Sequence, residues 1–184
     1  MRNLKRYSLR NNPFRKAKKK LAAALLATLT TASLANPSGP DVRSGQVNIQ
    51  GLGTNSVNIE QLTNQAIVNW NSFSIGAQEA VRFLQPNQMA VILNRVTGGD
   101  PSQILGQLQA NGNVFVVNPA GITVGAGARV DVGGLVLSTL GITDENFLSG
   151  NYTFEQDPNQ ALASIVNQGT IKISDGGYAI LTAH

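Results

Sequence analysis

Arg129 and Asp131 stand two apart in the short run Arg129-Val130-Asp131-Val132, and residues two apart on a strand share a face. An acid and a base on one outer face is where the equipment of a polysaccharide lyase or hydrolase begins. It is not enough, because general acid–base work on a glycosidic bond needs paired carboxylates at a set separation. One acid beside one arginine reads as a surface ion pair. Asp41, Asp144 and Asp157 fall in loop-like stretches, and no calcium-loop spacing connects them. His184 is the only histidine and the last residue, so no His-based zinc site or Ser-His dyad can form around a base held in place. The glycine-rich stretches at 125–127 and 133–134 lack the Lys-Ser/Thr ending of a phosphate-cradling loop. The sequence predicts no catalysis, no cofactor and no metal.

Charge divides the chain. Net charge is +4 over 184 residues, yet nine of the fourteen lysines and arginines lie in the first twenty positions, among them Arg15, Lys16, Lys18, Lys19 and Lys20. Residues 21–34 are an apolar run too short to span a bilayer, followed by the small-x-small pattern Ser33-Leu34-Ala35 of a signal peptidase site. The order predicts a signal peptide over residues 1–35, cut between Ala35 and Asn36. A basic nucleic-acid-binding arm or a membrane-surface helix would not explain the cleavage pattern. The remaining residues, 36–184, carry Arg43, Arg82, Arg95, Arg129 and Lys172 against ten acids. That acidic balance argues against nucleic acid as a partner, which needs clustered cations to neutralise phosphates. Cysteine is absent, so the exported chain must be held by stacking and hydrogen bonds, and it stays threadable through a second membrane.

The elements that would position any site are read best from residues 111–141. Val114 to Val117 is a short strand entered through Asn111-Gly112, the strongest hairpin dipeptide, which makes residues 106–110 its expected partner. Asn118-Pro119-Ala120-Gly121 has the residue preferences of a type I turn. Short apolar strands follow at 122–124, 130–132 and 135–137, with only glycine-rich corners between them. Sandwich strands run longer, with turn signals every 8–12 residues. Strands this short point to a parallel β-helix.

The rest of 36–184 agrees. Residues 47–49 and 56–59 alternate apolar and polar side chains around the turn Gly51-Leu52-Gly53. Strand patterns continue at 66–70, 73–76, 81–86 and 90–96. Trp70, among apolar neighbours, is expected to be a core anchor rather than a sugar-stacking platform. Asp100-Pro101-Ser102-Gln103 could cap one helical turn, residues 143–148 one short helix, and 151–155 a strand outside the stack. A weak repeat sets Asn118, Gly121 and Ile122 against Asn167, Gly169 and Ile171, each set followed by a Gly-Gly pair and an apolar strand.

Asn118-Pro119-Ala120-Gly121-Ile122 followed by Gly133-Gly134-Leu135 resembles the NPNGI and GGL signature of the filamentous haemagglutinin family, in its N-terminal two-partner-secretion (TPS) domain. Ala120 stands where the family usually has Asn, which keeps the turn but removes one amide. Residues 67–76 resemble the family's INW…FNIG segment, 81–86 its VxFxQP and 90–96 its AVxLNRV. Asn151-Tyr152-Thr153-Phe154-Glu155-Gln156 is similar to the NFTFEQ of the high-molecular-weight adhesin branch. The resemblance runs from about residue 46 to the end.

It implies an all-β, right-handed parallel β-helix with an N-terminal antiparallel capping sheet and extra-helical hairpin or strands. It implies a secretion domain over 36–184 at the front of a longer adhesin-type exoprotein. An outer-membrane transporter, a barrel with periplasmic polypeptide-transport-associated (POTRA) domains, would recognise it. The domain would then seed β-helix folding of the passenger at the cell surface. The Sec machinery and signal peptidase would act first, and the passenger could meet the host-cell surface. Asn118, Pro119, Gly121 and Ile122 would form the secretion-motif turn. The alternative is an adhesin module that itself contacts host glycans, which would need an exposed aromatic patch. The strand 178–181 is expected to be an interior strand with more of the stack beyond it.

Overall fold

The shortness of the strands and the small residues at their ends dictate a coil that turns three corners and returns above its own start. A computed structural model describes residues 35–183. The expected leader, up to residue 34, and His184 lie outside the described residues.

The first coil begins with β3 (Ser56–Gln61) and β4 (Gln65–Trp70). The second contains β5 (Ala80–Leu84), β6 (Val91–Val96) and β7 (Ser102–Ile104), and the third β8 (Gln107–Ala110), β9 (Asn113–Val117) and β10 (Ile122–Val124). The fourth has β11 (Arg129–Val132), β12 (Gly134–Ser138) and β13 (Ile165–Asn167), and β14 (Thr170–Ile173) and β15 (Ala179–Thr182) follow above it. Every coil-to-coil pairing is parallel. Only β1 (Asp41–Ser44) on β4 and β2 (Val47–Gln50) on β3 are antiparallel, and they cap the first coil. The three faces are a first sheet β2-β3-β5-β8-β11-β14, a second sheet β1-β4-β6-β9-β12-β15 and a third sheet β7-β10-β13. The fold is a parallel β-helix.

Register stacks like on like. In the first sheet Val57, Val81, Leu108, Val130 and Ile171 form one inward ladder. The second sheet adds Ala66, Ile92, Val114 and Leu135. The first four members of each ladder are buried. One inward row of the second sheet contains a polar residue, Asn94, between Val68 and Val116. Its side chain accepts from Trp70 Nε1 at 3.0 Å and donates to the Phe115 carbonyl at 3.2 Å. An indole N–H inside an apolar stack would otherwise lose its hydrogen bond, at a cost of about 1–3 kcal/mol.

The second sheet has a second apolar layer outside. Ile67, Leu93, Phe115, Val136 and Ile180 stack in register on its outer face. Between Ser138 and Ile165 the chain leaves the coil and lies over this ladder. Its short helix α1 (Asp144–Leu148) is capped by Thr143, whose hydroxyl accepts from the Asn146 amide at 3.1 Å. Phe147 is fully buried and meets Phe115 edge-on, with ring centroids 5.7 Å apart. Arg95, pointing out from β6, ties the excursion down. It meets Asp144 at 2.7 Å and donates to the Ile142 carbonyl at 2.7 Å.

Four local expectations change. Residues 73–76 make one isolated bridge, Ile75 to Ile104, and no strand. Asn111-Gly112 is a coil corner and not a hairpin, since β8 and β9 pair with neighbouring coils and not with each other. Gly112 is absent from the positive-φ glycines. It is required because a Cβ there would come within 2.8 Å of the Ala90 carbonyl of the coil before. Ser102 and Gln103 belong to β7 and not to a helical turn, because the Gln103 carbonyl accepts from the Ile75 amide of the first coil and the Leu105 amide donates back to the Ile75 carbonyl. Residues 151–155 form one bridge, Glu155 to Gly141, rather than a continuous strand.

Candidate functional site

The corner between β9 and β10 of the third coil holds Asn118, Pro119 and Gly121 and leads into Ile122. The strand before it, β9, ends where its apolar run ends, and Pro119 has no N–H with which to continue the ladder. The Gly121 amide closes the turn on the Asn118 carbonyl at 3.1 Å, and Gly121 has φ +115. A Cβ at Gly121 would stand 3.2 Å from the Ser164 carbonyl, in a backbone region that side chains avoid.

Asn118 is fully buried, and each of its polar groups is used. Its Oδ1 accepts from the Ala120 amide at 2.9 Å, forming an Asx turn within its own coil. Its Nδ2 donates to the Asp100 carbonyl at 3.0 Å and to Ser102 Oγ at 2.9 Å, both in the coil before. Its backbone amide donates to the Ser138 carbonyl at 2.9 Å, in the coil after. One asparagine thus fastens three successive coils. An Asp would present oxygen where Asp100 and Ser102 need a donor, and Ala would leave those acceptors and the Ala120 amide bare. Ala120 contributes its backbone N–H, so the turn closes without the amide that an Asn here would add. Ile122 is buried and stacks between Ser102 of β7 and Ile165 of β13.

The second repeat corner is built differently. Asn167 is exposed, and its Oδ1 accepts only from the Gly169 amide, at 3.1 Å. Asn167 pairs with Val124 and Ile171 with Val130. This corner therefore stacks on the bend at 125–128 and not on the Asn118 turn, and the repeat read from the sequence is displaced by one corner. Gly169 is needed for close approach, since a Cβ there would lie 2.6 Å from the Gly125 carbonyl. The excursion at 139–164 occupies the place of a second Asn118 turn. The Gly-Gly pairs miss by one residue: with Leu135 under Ala179 and Leu137 under Leu181, Gly133 lies under Gly177 but Gly134 under Tyr178.

Trp70 is fully buried, with Phe73 edge-on at 5.6 Å. At the expected cleavage junction, the Ala35 amide donates to Glu79 at 2.9 Å, and the buried Asn36 donates its side-chain amide to the Thr54 carbonyl. Asp131 pairs with Lys172 of the next coil at 3.2 Å rather than with Arg129. The described residues contain no group of three or more metal-ligating side chains.

The sequence reading missed the partners. From the sequence, Asp100 and Ser102 read as a helix cap, and Asn94 and Arg95 as parts of a strand. It also missed Asn111, which holds the coil before by a reciprocal pair of 2.8 Å bonds with the Gln85 backbone. Asparagine or glutamine beside a strand end was the available signal, because such residues satisfy backbone groups that a corner leaves open.

On the outer face of the second sheet, Tyr152 and Tyr178 flank the apolar ladder. Burial raises both phenol pKa values above the ordinary 10.0. A hydrogen bond from the Gln65 side chain partly offsets this for Tyr152, and the charge of Tyr152 adds to it for Tyr178.

Residues 34–184 match the sequence model of the TPS secretion domain. The chain is similar to the heme/hemopexin-binding protein of Haemophilus influenzae strain Rd, 36% identical over 165 residues, which cover 84% of this chain and 18% of the relative. A second Haemophilus influenzae heme/hemopexin-binding protein is 39% identical over 142 residues, 73% of this chain and 15% of its own length. The chain thus spans less than a fifth of either relative. The crystal structure of the HMW1 secretion domain from Haemophilus influenzae superposes with a TM-score of 0.76 at 42% identity, covering 79% of this chain and 39% of that one. A glycine-cornered β-helix, fastened at Asn118 and matched by the family over its whole described length, makes this chain a member of the TPS secretion domain family, the secretion module of two-partner exoproteins.

Proposed function

We propose that residues 36–184 are the part of a larger adhesin-type exoprotein that its outer-membrane transporter recognises in the periplasm, through the POTRA domains and barrel, and that they seed β-helix folding of the passenger at the cell surface. The observation that carries this reading is the asymmetry of the stack. Antiparallel β1 and β2 close the first coil. At the other end β15 presents Ile180 at 48% and Leu181 at 42% exposure, in register with buried ladders below. Such an edge is a template on which a further coil can form. Export would start at the Sec machinery, with signal peptidase cutting between Ala35 and Asn36. The domain itself would carry no catalysis, cofactor or metal.

The alternative, direct contact with host glycans or a host-cell surface, draws on Tyr152 and Tyr178, which keep 41% and 38% of their surface exposed. Among the described residues Trp70, Phe73, Phe83, Phe115 and Phe147 are buried and Phe154 is half-buried against the outer ladder, which favours the secretion reading. Heme or hemopexin binding belongs to the named relatives as whole proteins. The test is co-expression of the chain with its transporter and with a barrel lacking the POTRA domains. Export with the complete transporter alone supports the proposal, and export without the POTRA domains overturns it. Glycan-array binding by leader-free protein with no transporter dependence would favour the alternative.

A further inference from the structure

Glu79 is an acid in a place where acids are rarely found. It is 5% exposed, at the bend before β5. Its Oε2 accepts from the Gly76 amide at 2.7 Å and its Oε1 from the Ala35 amide at 2.9 Å. Among the described residues it has no ion-pair partner. A buried carboxylate with two N–H donors and no cation is expensive, and nothing in the packing of β5 asks for one. A glutamine of the same size could accept the Gly76 bond. Beside it, Asn36 is 8% exposed and its side-chain oxygen has no partner. The charge and the spare acceptor both lie where the leader is expected to be cut.

We propose that Glu79 is a binding site for an α-ammonium group, and that its ligand is the chain's own amino terminus, created at Asn36 when the leader is removed. Hydrolysis of the Ala35–Asn36 bond takes away the Ala35 amide and leaves an ammonium on the Asn36 nitrogen, under about 4 Å along the chain from the atom that now holds Oε1. The cation replaces a neutral donor on a desolvated carboxylate, and charge-assisted bonds of this kind are about twice as strong as neutral ones. The free Asn36 oxygen gives a second acceptor for a group with three N–H bonds. The socket lies against the strap 36–38, whose Ser38 pairs with Ser72. Leader removal therefore fastens the capped end of the helix, so an uncut precursor has a looser start than the mature chain. The proposal rests on the export reading only for the position of the cut.

Mass spectrometry of exported protein first establishes that Asn36 is the first residue, which separates failure of the cut from failure of the socket. Thermal unfolding is then compared for this chain, for the same chain with a neutral Gly-Ser-Gly-Ser extension before Asn36, and for Glu79→Gln in both backgrounds. The free-amine chain should melt at least about 5 °C above the extended one, a gap in keeping with loss of a buried ion pair in a domain of this size. Glu79→Gln should remove that gap. If Glu79→Gln does not fold, acetylation of Asn36 in the native sequence decides. A lowered Tm and faster exchange of the Ser38 and Asn71 amides support the socket. Equal Tm for free, extended and acetylated chains, or a gap that survives Glu79→Gln, overturns it.

Discussion

Strands β5 and β11 of the first sheet alternate buried and exposed side chains, whereas β9 and β12 of the second are buried along nearly their whole length. Both sheets have six strands and share the same coils. The difference comes from the outer face. The first sheet shows water Arg82, Gln109, Asp131 and Lys172, which stack in register and bond along the stack, Arg82 to Gln109 at 3.0 Å and Lys172 to Asp131 at 3.2 Å. The second shows Ile67, Leu93, Phe115 and Val136, and the excursion at 139–164 covers them. A coil can therefore carry either an open polar face or a face that obliges the chain to leave the helix and return. Arg95 and Phe147 are the price of the second choice, and a second core is its gain.

The comparison breaks most visibly at Phe115. Truncation to Ala removes the ring on which Phe147 and Tyr152 rest, and should cost about 3–5 kcal/mol in denaturant unfolding, as for a core phenylalanine. Arg129→Ala, also outward but on the first sheet, should stay within about 0.5 kcal/mol of wild type. If the two cost the same, the outer layer is not a core. Gly121→Val comes next, with roughly 1–3 kcal/mol of backbone strain added to crowding against Ser164, read as a lower Tm. Smaller again is Arg95→Met, which leaves Asp144 and the Ile142 carbonyl without their donor. Half-exposed pairs of this kind are worth about 1 kcal/mol or less. Its clearer sign should be faster proteolysis within 139–164 while the first sheet stays protected.

The smallest effect is alkaline. Both tyrosines beside the excursion have phenol pKa values raised by burial in the folded state. The folded chain therefore keeps protons that the unfolded chain gives up, and stability is complete below the ordinary pKa of 10.0 and falls as pH rises past it. Partial exposure makes the loss slight. Tyr152→Phe with Tyr178→Phe should flatten the decline of Tm above pH 10, and an unchanged decline would remove the tyrosines from the explanation.

How legible this was depended on the range of the interaction. Most strand positions, the burial of Trp70 and the short helix behind Thr143 follow from local pattern and capping preference, and these occur, while the strands expected at 73–76 and 151–155 shrink to isolated bridges. Asn111-Gly112 misled because the dipeptide's hairpin preference concerns φ, while Gly112 is needed for contact with a coil more than twenty residues away. The repeat was displaced for a similar reason. Asn118 and Asn167 make the same local Asx turn, but only Asn118 reaches neighbouring coils, and spacing along the chain does not show which corner lies beneath. The near-continuous apolar runs 114–117 and 135–137 did carry the signal of a sheet covered on both faces. What covered them had to come from a segment whose own pattern was weak.

The account's central claim is that the Asn118 corner serves secretion by holding three coils together. Asn118→Ala tests it most directly, with Asn167→Ala as its matched control, by measuring Tm and transporter-dependent export on the same proteins. The buried Asn118 should cost about 1–3 kcal/mol and lose export in step with Tm, while the exposed Asn167 should leave both nearly unchanged. Normal melting of Asn118→Ala with abolished export would contradict the claim and make the corner a direct contact with the transporter.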